Sequence, residues 1–127
     1  MPDYSSWFRI HNRLNVPLIQ KSEAVYSGYW ERWPPQRIEG HSTSGWFQIK
    51  DKFGSFGSDG EVQYDANIDG QTYTIQFKAK CPSGDPNEAK IWNLSPGDNP
   101  PVVTVSSISP HGHPTEADFV VISLHYN

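Results

Sequence analysis

Apolar and polar residues alternate with a period of two along most of the chain, the pattern of strands that bury one face and wet the other. Residues 6–13 set Phe8 and Ile10 against Arg9, His11 and Arg13, and residues 44–51 set Phe47 and Ile49 against Trp46, Gln48 and Lys50. The clearest unit is a hairpin over residues 61–81. Val62 and Tyr64 lead to Asp69-Gly70, a dipeptide suited to a two-residue turn in which both central positions take positive φ. On the return strand Tyr73, Ile75, Phe77, Ala79 and Cys81 face inward, and Thr72, Thr74, Gln76, Lys78 and Lys80 face outward. Residues 23–30 read as one strand with Ala24, Tyr26, Gly28 and Trp30 on one face and Val25, Ser27 and Tyr29 on the other. Shorter strands follow around 90–94, at 102–108 and at 118–126, the last with Val120, Ile122, Leu124 and Tyr126 along one side. The stretches "FGSFGSDGE" (53–61) and "SPHGHPTEA" (109–117) read as connections. No segment longer than about ten residues carries apolar positions at helical spacing. The expectation is an all-β chain, a single antiparallel β-sandwich domain over residues 1–127 with about eight or more short strands.

Composition sharpens this. A chain of 127 residues fits one domain. Five Trp, six Tyr and six Phe mean that large rings carry much of the burial. The net charge is −4, and no basic run exceeds two residues, so the electrostatic footprint of phosphate-backbone binding is missing and nucleic acid is not an expected partner. The longest apolar runs, such as Phe119-Val120-Val121-Ile122, fall far short of the ~20 residues of a spanning helix. The N-terminal MPDYSSWFRI lacks a charged-then-apolar signal region, so the expected route is cytoplasmic synthesis without a signal peptide, with release and action at target membranes. The single cysteine, Cys81, excludes an internal disulfide and reads as a small buried hydrophobe.

The stretch "YSGYWERWPP" (26–35) sets four large rings within eight residues and stops at two prolines, which continue neither a central strand nor a helix. On a strand over 23–30, Tyr26 and Trp30 would share a face and enter the core, whereas Tyr29 would point away and Trp33 would sit on a loop. The rings either cover the end of the sandwich or form a binding surface. Ring clusters of the second kind meet the lipid headgroup zone, where Trp and Tyr suit an interface wet on one side, or the apolar face of a sugar. The candidate ligand-binding residues are Tyr29, Trp30, Trp33 and Trp46 for insertion or stacking, with Arg32 and Tyr26 as headgroup contacts.

Other chemistry is thin. His111-Gly112-His113-Pro114, with Glu116 and Asp118 downstream, offers two histidines for zinc or copper, but a catalytic zinc needs a third protein ligand, and His11, His41 and His125 are scattered. There is no Gly-x-Ser-x-Gly elbow, no His-Glu-x-x-His and no glycine loop opening a helix for phosphate. Choosing a catalytic carboxylate pair from Glu39, Asp51, Asp65 or Glu116 would be arbitrary. The expectation is a binding protein rather than an enzyme, without metal or cofactor.

Four pieces of the chain, "WFRIHN" (7–12), "PPQRI" (34–38), "GSFGSDGEVQYD" (54–65) and "FKAKCPSGDPN" (77–87), follow in an order that resembles the aegerolysins. These are small acidic β-sandwich proteins of fungi and bacteria, similar in fold to the actinoporin cytolysins. The resemblance implies recognition of a membrane lipid headgroup, with pore formation requiring a larger perforin-like partner chain. It departs at Ser83, where members carry a tryptophan of the membrane-facing surface, so the family's sphingolipid selectivity here would need rings supplied from elsewhere, by Tyr29, Trp30, Trp33 and Trp46. A charge of −4 opposes attraction to anionic lipid, which points to a zwitterionic headgroup. The alternative is a lectin or carbohydrate-binding module whose rings stack on a glycan. A third reading, an interface for another protein, would use the same rings as anchors.

Overall fold

The computed structural model describes residues 3–52, 57–84, 86–94, 100–109 and 113–123. Eleven strands run in chain order: β1 (Ser6–Asn12), β2 (Leu18–Ser27), β3 (Tyr29–Arg32), β4 (Arg37–Ile38), β5 (Ser42–Thr43), β6 (Phe47–Lys50), β7 (Ser58–Ile68), β8 (Gln71–Cys81), β9 (Glu88–Asn93), β10 (Val102–Ile108) and β11 (Thr115–Ile122). They form two sheets, one in the order β10-β11-β1-β6-β3 with β5 also on β1, the other in the order β4-β2-β7-β8-β9. All pairings are antiparallel except β1 with β11, which run parallel with Phe8 beside Ala117 and Ile10 beside Phe119.

The alternation read from the sequence is the burial pattern of β1, β6, β7 and β8. Phe8, Ile10, Phe47, Ile49, Val62, Tyr64, Ile75, Phe77, Phe119 and Val121 are all buried between the sheets. Phe8 stacks on Phe47 at 5.0 Å, and Phe119 meets Phe77 edge-on across the sandwich at 5.2 Å. The β7–β8 turn falls on Asp69 (φ 52°) and Gly70 (φ 82°), both left-handed as the dipeptide requires.

Two assignments from the sequence change. The last strand begins at Thr115, inside the stretch read as a loop, and its core side is Ala117, Phe119 and Val121. Four consecutive apolar residues give no alternation to read, so the parallel partner β1 decides which set faces in. Leu124 and Tyr126 lie outside the described residues. The other change is at 23–30, which is not one strand. Gly28 (φ 95°) breaks it, with β2 on one side in the second sheet and β3 on the other at the edge of the first. A Cβ on Gly28 would stand 2.3 Å from the Lys50 carbonyl oxygen, so only glycine allows this crossing.

Beyond β3 the chain returns over the open side of the sandwich to β4. The Tyr64 hydroxyl donates to the Pro35 carbonyl at 2.6 Å, and the Gln20 backbone N–H donates to the Gln36 carbonyl at 2.8 Å. The segment 33–36 is thereby tied down at its base.

Candidate functional site

The crossing at Gly28 decides where the rings go. Trp30 turns into the core, 7% exposed, against Phe8 at 5.8 Å and Phe47 at 6.0 Å, and its indole N–H donates to Glu23 at 2.5 Å. An inserting role does not fit a ring sealed in this way. Trp33 lies on the loop that follows, 68% exposed, with its ring 6.4 Å from Trp30. Buried Pro34 follows Trp33, and fixed proline φ values make the loop stiff. Trp33 is thus a rigidly presented ring rooted on a core tryptophan. Tyr29, 39% exposed, opens β3 four residues before Trp33.

The remaining candidates sit elsewhere, so the expected gathering of all six residues does not occur. Tyr26, expected on the same side as Trp30, lies on the outer face of the second sheet, where its hydroxyl donates to Glu61 and the Lys78 ammonium stands 5.6 Å from its ring. Arg32 lies over Trp7 at 5.8 Å on the outer face of the first sheet. Trp46 is half-buried on that same face, with the Arg9 guanidinium 4.4 Å from its ring.

The outer face of the first sheet is organised beyond what the sequence reading found. Strand register lines up Glu116, Trp7, Gln48 and Arg32 in one row. In the next, Ser107, Asp118 and Arg9 lie side by side, with Trp46, just before β6, against Arg9. Asp118 accepts two hydrogen bonds from Arg9, at 3.1 and 2.9 Å, and one from His11 at 2.7 Å. His11 also meets the Thr43 hydroxyl at 2.9 Å through its other ring nitrogen. Arg9 and His11 were legible with Arg13 as the polar side of the first strand, Trp7 was not, and Asp118 arrives from a strand more than a hundred residues away.

Burial pushes the Asp118 carboxyl up, but hydrogen bonds from Arg9 and His11 together with their charges outweigh it and hold the group below its ordinary value. A carboxyl depressed in the folded state stabilises above its unfolded pKa of about 4 and loses that contribution as pH falls through the folded value. The Asp118→Asn variant is therefore expected to be less stable than the parent at neutral pH, with the difference shrinking below about pH 4. Urea titrations at several pH values read this out, and a gap independent of pH contradicts it.

Among the described residues no three His, Cys, Asp or Glu side chains group as a metal site. His111 lies outside the described residues, and His113 packs edge-on against Tyr4 at 4.5 Å. Two further apolar side chains that the sequence reading passed over, Trp92 and Leu94, are exposed on and just after the edge strand β9.

No known family model and no curated protein matches the sequence. Solved structures do match in fold. The lipid binding protein Nakanori superposes with a TM-score of 0.72 at 14% identity, over 93% of this chain and 70% of that one. The RahU protein, solved in complex with a TRIS molecule, superposes with a TM-score of 0.65 at 12% identity, over 97% of both chains. The β-sandwich of this chain is thus a fold on which a lipid-binding protein is built.

Proposed function

We propose that this chain is a membrane-docking protein that recognises lipid through the loop after β3, with Trp33 and Tyr29 entering the headgroup zone and Trp30 holding them from below. The observation that carries this is a tryptophan 68% exposed on a proline-stiffened loop. An exposed indole suits an interface wet on one side. Support comes from the fold shared with a lipid-binding protein. The net charge of −4 disfavours anionic surfaces, so the ligand is a zwitterionic headgroup. The order of sequence pieces supports the narrower assignment to the aegerolysins. On that assignment the chain is not an enzyme, is made in the cytoplasm, acts at target membranes after release, and forms pores only with a larger perforin-like chain.

The test is co-sedimentation with vesicles of zwitterionic lipid. Removing Trp33 forfeits about 2–3 kcal/mol of ring burial, so Trp33→Ala is expected to bind roughly 30- to 150-fold more weakly. Tyr29→Ala weakens binding less, because less of that ring is free to enter. Pelleting of a folded Trp33→Ala/Tyr29→Ala variant at the parental level removes the proposal. Binding confined to vesicles carrying glycolipid would favour the glycan reading instead.

A further inference from the structure

The outer face of the first sheet carries a cleft that the docking loop does not use. It has a volume of about 360 Å³ and is lined by Arg9, Trp46, Ser107, Ile108, Ser109, Glu116 and Asp118. Small-ligand sites start at roughly this size.

Its chemistry narrows the occupant. Arg9 is fixed at both ends: its guanidinium lies over the Trp46 ring, and Asp118 takes its Nε–H and one Nη2–H. Among the described residues no other acceptor takes the remaining guanidinium hydrogens, whose plane is set by Trp46 and Asp118. Opposite in character is Glu116, an exposed carboxylate near enough to feel the Arg9 charge, with no hydrogen bond to a described side chain. Ser107 and Ser109 bring hydroxyls that both donate and accept. Arg9, Asp118 and Glu116, the charged groups that line the cleft, sum to −1.

A simple anion is repelled by that sum, and a simple cation has to sit beside a guanidinium that already covers Trp46. The group that uses a fixed donor, a free carboxylate acceptor, hydroxyls and an indole edge together is a neutral polyhydroxylated ring. We propose that this cleft is a binding site for a sugar residue, with Glu116 accepting from a pair of ring hydroxyls, Arg9 donating to an oxygen, and Trp46 and Ile108 covering the less polar side. This site is separate from the Trp33 loop and stands whether or not that loop docks on lipid.

The experiment is saturation-transfer NMR on the full chain with a panel of methyl glycosides of glucose, galactose, mannose and N-acetylglucosamine, with ethanolamine and inorganic phosphate alongside. At least one glycoside is expected to show transfer. Affinity should fall at least tenfold in Glu116→Gln, where an exposed side chain keeps its size and loses its charge, and at least tenfold in Trp46→Ala. Vesicle binding by Glu116→Gln should equal that of the parent, and sugar binding by Trp33→Ala should do the same, so that failure at one site is told apart from failure at the other. The proposal is overturned by transfer to no glycoside, by transfer to ethanolamine or phosphate alone, or by glycoside binding that Glu116→Gln leaves intact.

Discussion

Phe8→Ala is expected to lower the stability of the fold by about 3–5 kcal/mol, the range for deleting a fully enclosed phenyl ring. Phe8 has no exposed surface and stands where three others meet: Phe47 stacked at 5.0 Å, Trp30 at 5.8 Å and Phe119 at 6.4 Å. Its strand lies in the middle of its sheet, between β11 and β6, so the backbone has little freedom to collapse into the void. Since domains have only about 5–15 kcal/mol in total, the variant should unfold at a much lower urea concentration with an unchanged slope. Trp30, packed on Phe8 and beneath Trp33, makes the same substitution a functional probe: vesicle binding should decline with the population of folded protein. A loss of less than about 1 kcal/mol would mean that the rings repack around the gap, contrary to the close packing described above.

The second large effect is at Gly28. An alanine there meets two obstacles at once. A φ of 95° is strained for any residue with a Cβ, at about 1–2 kcal/mol, and the new carbon would lie 2.3 Å from a backbone oxygen of β6. A backbone atom cannot swing aside as a side chain does, so β3 has to shift away from β6, and the total cost is expected to reach about 3 kcal/mol or more. The consequence for function is separable from stability. Tyr29 and Trp33 are positioned by β3, so a Gly28→Ala protein that remains folded at low temperature should dock on vesicles more weakly than the parent under the same conditions. Amide exchange would show the loss of protection concentrated at the β3–β6 pairing. If stability changes by less than about 1 kcal/mol, the crossing is not held as tightly as its geometry indicates.

Why the first of these was legible from sequence and the second was not lies in the range of the forces involved. Phe8 and Ile10 against Arg9 and His11 is a statement about one strand, and any sheet built from it must bury one set. The β7–β8 hairpin is similarly local, because Asp69-Gly70 fixes the turn and the turn fixes the register of eleven residue pairs. Gly28, by contrast, is one glycine in an unbroken strand pattern, and what it avoids is a carbonyl oxygen on residue 50. The pattern therefore put Tyr26 and Trp30 on one face, whereas the crossing puts them on different sheets, one outside and one inside.

The two candidate sites divide along the same line. Exposed Trp33 before two prolines is a local feature, and the chain itself announced it. The cleft over Arg9 and Trp46 needs β11 and the end of β10 brought beside β1, a pairing between the two ends of the molecule that no periodicity encodes. Sequence alone settled that the chain makes strands, which residues of β1, β6, β7 and β8 are inside, and that ring surface is plentiful. Tertiary structure decided which rings are spent on the core and which meet water, because burial of a ring depends on which sheet its strand joins, and that choice is made by contacts between residues far apart along the chain.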